Sequence, residues 1–243
     1  MSTVYPYLPN AEVTCIIGDI KTNNITVLVP PEIKALPEGL RRHADLGICM
    51  VDETAAVCAP ETYDYYFDLL KVYNIRVIRG EKKLGGTYPD DSAYNACVVG
   101  DKCFVNEKIC DPCLYRILKR KGYDIINVNQ GYTKCSICPV NKNTIITADI
   151  GIYSKAASHG VEVLLIENDG IKLSGYKNGF FGGATGMISS DKLAVNGELK
   201  FIKDGEKIEK FLKSKGVMPI SLKKGKICDI GSIIPLTANV HNI

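Results

Sequence analysis

The segment His43-Ala44-Asp45 places an imidazole two residues from a carboxylate. A histidine titrating near neutrality is the usual general acid or base, and an adjacent acid can orient it or anchor a cation. The other histidines fit other roles. His159 precedes Gly160 at the end of a helical stretch, where it complements the helix dipole, and His241 sits in the C-terminal tail. A second group lies in GYTKCSIC, where Lys134 neighbours Cys135. A nearby ammonium raises the thiolate fraction of a thiol, which makes Cys135 a candidate nucleophile. Cys228 and Asp229 form a third group, offering a second thiol and, with Asp45, a second carboxylate for a cationic ligand. The catalytic candidates are therefore His43, Cys135 and Cys228. Asp149, at the start of a helical stretch, reads as an N-cap.

Two CxxC pairs, Cys110–Cys113 and Cys135–Cys138, are separated by 21 residues, close to the spacing of a zinc ribbon. Cys138 falls inside a regular β run, however, and a CxxC within a strand sends its thiols to opposite faces. CDPC alone resembles a redox motif at a helix start but lacks its surrounding pattern. We expect no metal. GFFGGATG permits close backbone approach but is not a dinucleotide fingerprint, so no cofactor is expected either.

These groups are carried by a regular framework. Four segments share one pattern: a β run, a polar turn, a second β run, a helix and a closing strand. The turns are Asp52-Glu53, Gly100-Asp101, Asn141-Lys142 and Ser190-Asp191. The clearest helix covers 205–215, with Ile208, Phe211 and Leu212 on one face and Gly216 as its stop; Gly122 and Gly160 end two others. Aligning the turns puts Cys49, Cys97, Cys138, Met187 and Ile234 in one column at spacings of 48, 41, 49 and 47 residues. A period of this size predicts ββαβ units arranged around an axis or in a stack. The units lie near 43–80, 90–129, 130–168, 178–222 and 227–240. The last is short, and the N-terminal segment 11–31 supplies the strands that close it, so that 1–243 forms a single domain without exposed sheet edges. Two positions before the column stand Gly47, Asn95, Ser136, Thr185 and Ser232, all small and four of them polar. Strand parity puts them on the same side as the column, which predicts a polar ring lining a central channel. The expected binding residues are Asp45, Asn95, Lys134, Ser136, Thr185, Asp229 and Ser232.

Composition narrows the function classes. A net charge of +3, spread along the chain, argues against nucleic acid or membrane surface as a partner and leaves a small-molecule ligand. No apolar run approaches the roughly 18 residues of a membrane span. Ten cysteines without a secretory leader fit a reducing compartment, so a cytoplasmic protein is expected.

The fivefold ββαβ pattern resembles the pentein, or guanidine-group-modifying, superfamily, an α/β class of five-bladed β/α-propellers. More narrowly, HADLG, YNACVVGDKCFVN, QGYTKCSICPV, ITADIGI, GFFGGATG and DIGSIIPL resemble a clostridial family of this fold, over roughly 10–240. The resemblance implies a hydrolase or transferase acting on a guanidino or related small metabolite in the central channel. The superfamily also contains non-catalytic members, which implies the alternative of a pentein that binds a small ligand or a protein partner. Catalytic members carry a Cys nucleophile in the last blade and a His in the fourth. Here Gly231 stands at the nucleophile's place, Cys228 lies three residues earlier, and GFFGGATG contains no His.

Overall fold

The computed structural model describes residues 14–16 and 25–236; His241 lies outside them. Near the N-terminus, β1 (Thr14–Ile16) pairs in parallel with β2 (Thr26–Leu28). A four-residue turn of helix, α1 (Ala44–Gly47), leads into the hairpin β3 (Ile48–Asp52) and β4 (Ala55–Cys58); then come α2 (Tyr63–Leu70) and β5 (Arg76–Arg79). The next sheet uses β6 (Cys97–Val99), β7 (Lys102–Val105), α3 (Pro112–Arg120) and β8 (Asp124–Asn127). Another helical turn, α4 (Thr133–Ser136), precedes β9 (Ile137–Asn141), β10 (Thr144–Thr147), α5 (Ile150–Ser158) and β11 (Glu162–Leu165). The fourth sheet holds β12 (Thr185–Ser189), β13 (Lys192–Val195), α6 (Gly205–Ser214) and β14 (Met218–Ser221), and β15 (Ile234–Pro235) follows.

In each of the first four sheets the hairpin is antiparallel and the closing strand joins it in parallel. The fifth sheet has the order β15-β1-β2, with Cys15 opposite Pro235 and Ile16 opposite Ile234. Residues from the two ends of the chain therefore share one sheet. The first strands pack in succession, β3 on β6, β6 on β9, β9 on β12 and β12 on β15, and surround an axial channel. The architecture is a five-bladed β/α-propeller.

The hairpins turn where the sequence places the four polar turns. α6 buries Ile208 and Leu212, and Asp149 caps α5 by accepting the Ile152 N–H at 2.9 Å. Gly122, Gly160 and Gly216 follow their helices in the left-handed region, where a side chain is disfavoured. The apolar side chains bridge neighbouring blades. One cluster joins Leu114 and Leu118 of α3 to Val51 and Val57 of the first sheet and Cys103 and Val105 of the second. Another joins Ile126 to Ile145 and Ile152.

Packing around the axis is tight enough to demand glycine at one crossing. A Cβ on Gly186 of β12 would lie 1.9 Å from the Ile233 carbonyl oxygen, beside β15. Backbone cannot yield as a flexible side chain would. Gly186→Ala is therefore expected to destabilise the protein by about 1–3 kcal/mol or more, as overpacking does elsewhere. Urea unfolding measures this, and a stability within error of wild type would show that the inner strands are not in this contact.

Candidate functional site

The short helical turns that lead into the inner strands carry the chemistry. Asp45 sits in α1 and Lys134 and Cys135 in α4, and Asn95 lies between these two turns in space. Its amide is fully used. Nδ2 donates to the Asp45 carbonyl at 2.8 Å and to Cys135 Sγ at 3.2 Å, while Oδ1 accepts the backbone N–H of Lys134 at 2.7 Å and of Cys135 at 3.1 Å. One buried side chain thus clamps the entries to the first and third blades onto the second.

Asp45 is the hub on the other side of the clamp. Its Oδ2 accepts the Ser232 hydroxyl at 2.6 Å and the Cys135 thiol at 3.0 Å, while its Oδ1 is buried with no hydrogen-bond partner. Lys134 Nζ donates to Ser232 Oγ at 3.0 Å, which gives a chain from Lys134 through Ser232 to Asp45. Ser232 reaches this position with φ of 68°, an uncommon conformation for a residue with a side chain, and its N–H is held by the Gly183 carbonyl at 2.7 Å.

His43 and Asp229 lie next to this group. Asp229 Oδ2 accepts the Phe180 N–H at 2.8 Å and Oδ1 accepts that of Gly231 at 3.0 Å. The carboxyl lies against Gly183, where a Cβ would come within 2.2 Å of Oδ1, so this glycine is required by close approach. His43 Nδ1 stands 3.9 Å from Asp229 Oδ1, beyond a hydrogen bond, and its ring packs on Gly231.

Burial governs the titration of all four groups. It raises the Asp45 carboxyl, and the nearby Asp229 adds to that effect while His43 and Lys134 oppose it. It lowers His43, against the pull of Asp45. Asp229 is pushed up to about 6 by burial, although two backbone N–H groups favour its ionised form. The Cys135 thiol is driven well above its ordinary range, first by burial and then by Asp45 and Asp229. The result is a polar cluster biased toward its uncharged forms.

Above the cluster the channel encloses a cavity of about 350 Å³. Asp45 and Lys134 form its floor, and all five inner strands contribute to its walls, including Met50, Val98, Val140, Met187 and Ile234. Asp52, Glu53, Thr54 and Asn141, at the hairpin turns, form the mouth. Here the structure corrects the expected polar ring. Gly47, Asn95, Ser136, Thr185 and Ser232 do not line the cavity. A Cβ on Gly47 would meet Ile33, Thr185 Oγ1 donates to the Phe181 carbonyl, and the Ser136 hydroxyl is buried without a partner. Alternation of period two does not apply to Gly47 and Ser136, which lie in the helical turns α1 and α4 ahead of their strands.

The structure brings together Asp45, Asn95, Lys134, Cys135 and Ser232, with His43 and Asp229 adjacent. His43 and Asp229 also border a separate cavity of about 290 Å³ with Glu32, Glu38, Arg41 and Arg42. Cys228 is not in the cluster. It lies beside a third cavity with Lys172 and Tyr176, and its thiol donates to the Lys226 carbonyl at 3.6 Å. In CDPC, Asp111 caps α3 and also accepts the N–H groups of Glu81 and Lys82, while burial pushes Cys110 up to about 12. Among the described residues, no three His, Cys, Asp or Glu side chains gather as a metal site, and no helix is long and apolar enough to cross a membrane. Sequence reasoning missed the wall residues Met50, Val98 and Val140; the column of Cys49, Met187 and Ile234, which also line the cavity, was the available signal.

The blade order and strand pairing define the pentein β/α-propeller. A dimethylarginine dimethylaminohydrolase, solved as an adduct with 4-chloro-2-hydroxymethylpyridine, is similar at a TM-score of 0.52 and 13% identity, covering 82% of this chain and 76% of that one. The inosamine-phosphate amidinotransferase of Streptomyces griseus is similar at 0.50 and 12%, covering 89% and 78%. A search of curated proteins finds no match. Within this fold, the chain belongs to the family described as a family of unknown function, DUF6873, which it matches over residues 11–234.

Asp229 and His43 give the stability opposing pH dependences. Between about pH 4 and 6 the unfolded Asp229 carboxyl is ionised while the native one keeps its proton, so stability falls as pH rises through that window. His43 acts oppositely below about 6.5, where only the unfolded imidazole takes up a proton, so its contribution weakens as pH falls. The stability of wild type relative to Asp229→Asn is expected to decline by roughly 2–3 kcal/mol between pH 4 and 7. Urea unfolding across that range reads the difference, and a flat or rising difference would contradict a raised Asp229.

Proposed function

We propose that this protein is a pentein that binds a small molecule in its axial channel without turning it over. The observation that carries this is the division of the centre into two parts. The open part has apolar walls and an ionisable floor, which is the usual makeup of a small-ligand site. The thiol and imidazole that catalysis would need are sealed beside or beneath it: Cys135 is 3% exposed and His43 6%, and neither lines the channel. A thiol held in its neutral form by burial is a poor nucleophile.

A second reading is supported by one specific contact. Cys135 Sγ lies 3.0 Å from Asp45 Oδ2, within reach for transfer of the thiol proton to the carboxylate. On this reading the protein is a hydrolase or transferase of guanidino compounds, the chemistry named for the two similar structures. Cys135 would be the nucleophile, Asp45 its base and cation anchor, and His43 with Asp229 a proton relay.

Alkylation separates the readings. With iodoacetamide at pH 7.5, the half-buried Cys113 and Cys228 are expected to label first and Cys135 only after denaturation, as followed by mass spectrometry. Rapid labelling of Cys135 in the folded protein, together with turnover of guanidino compounds that Cys135→Ser abolishes, would replace the binding reading with the catalytic one. The channel itself is tested by filling it. Met187→Phe or Val98→Phe is expected to leave the fold intact and remove small-molecule stabilisation in thermal unfolding; undiminished stabilisation would place the ligand elsewhere.

A further inference from the structure

The floor of the channel holds an ammonium whose hydrogen-bonding capacity is largely unspent. Lys134 Nζ has three donors and uses one, on Ser232 Oγ. No carboxylate among the described residues lies within salt-bridge distance of it, whereas Asp52, at the mouth of the same channel, is paired with Lys121. Asp45, the acid on the floor, already receives the Ser232 hydroxyl and the Cys135 thiol on Oδ2 and has a second oxygen, Oδ1, that is buried and unpartnered. The floor thus combines an incompletely paired cation with a carboxyl that keeps one buried oxygen without a partner, at the base of a largely apolar tube.

Different head groups fare differently on this floor. An ammonium or guanidinium would bring a second positive charge beside Lys134, whose hydrogen-bond partner among the described residues is the uncharged Ser232 hydroxyl. An alcohol oxygen can accept one donor of Lys134, but only as a neutral partner. A carboxylate oxygen accepts it as a charge-assisted hydrogen bond, which is roughly twice as strong, and the second carboxylate oxygen remains to share a proton with Asp45. The tube between floor and mouth is lined by Ile48, Met50, Val98, Val140, Met187 and Ile234, with no charged group among them. At the mouth, Asp52 and Glu53 offer nothing to a second anionic group. A volume near 350 Å³ is at the small end of the roughly 300–1,000 Å³ typical of ligand sites. The five-residue β3 spans roughly 16 Å, at about 3.3 Å per residue, which suits a body of medium length.

Resting on the channel-binding reading above, we infer that the ligand is a monocarboxylate with an apolar, aliphatic body, its carboxylate seated on Lys134 and Asp45 and its body running toward the hairpin turns. Lys134 is then the residue that selects the head group, and the inner strands select the tail.

The test is a head-group series on the wild-type protein by isothermal titration calorimetry at pH 7, using octanoate, 1-octanol, octylamine and octylguanidine. Octanoate is expected to bind at least ten-fold more tightly than the other three. Lys134→Met should reduce octanoate binding ten-fold or more and leave 1-octanol unchanged, and Lys134→Arg should retain most of the preference for octanoate. If octylamine or octylguanidine binds as tightly as octanoate, or if Lys134→Met leaves octanoate untouched while Met187→Phe abolishes it, the carboxylate assignment falls and the channel reading stands. If no member of the series binds the wild-type protein, both fall. The wild-type series decides the matter even if Lys134→Met does not fold.

Discussion

The centre of this propeller depends on the side chain of Asn95. Its four hydrogen bonds tie the entries of two blades to a third, and three of them, to Asp45 and Cys135, are made to groups buried from water. A carboxylate in the same place could accept the two N–H groups but could not donate to the Asp45 carbonyl. A leucine would leave the Asp45 carbonyl and the Cys135 N–H short of this partner, each costing about 1–3 kcal/mol, while the Lys134 N–H would keep its bond to the backbone carbonyl of residue 95. With the clamp in place, Asp45 and Lys134 stand at matching positions of α1 and α4, each three residues before its strand begins. The ionisable floor of the channel follows from the geometry of these turns.

The cluster beneath the floor shows how charge is tolerated inside an otherwise apolar ring. Burial raises both carboxyls and lowers the imidazole, which lessens the desolvation cost of holding these groups inside the ring. Hydrogen bonds then account for most of the remaining polar atoms, with Asp45 Oδ1 as the exception that faces the ligand question. The same low-dielectric setting keeps Cys135 a thiol, even though Asn95 donates to its sulfur.

Much of the framework was legible in the sequence because it rests on local signals. Polar pairs such as Asp52-Glu53 and Asn141-Lys142 turn their hairpins, Asp149 caps its helix and Ile208 and Leu212 mark the buried face of α6. The site was legible only in part. Asp45, Lys134, Cys135, Asp229 and Ser232 were all singled out by type and position, yet their mutual contacts span up to 187 residues of chain and leave no periodic trace. The polar ring was misplaced in part because parity was extended backward from the strands into α1 and α4, where Gly47 and Ser136 are helical, and in part because Thr185, though in β12, spends its hydroxyl on the Phe181 carbonyl. Nor could parity show that Gly47 faces Ile33, away from the axis.

The pairing of β15 with β1 has a bearing on how the protein is made. Of the described strands β1 is made first and lies beside β2, but its antiparallel partner is about 220 residues away and is made last. Until then four blades stand as an open arc, with the flank of β12 uncovered where β15 will pack and Ser232 not yet placed against Asp45. Closure of the ring and completion of the channel floor are one late event, dominated by contacts of very long sequence separation, which are slow to form. A chain cut before Ser232 would carry nearly all of the described secondary structure and lack the contact that completes the channel floor.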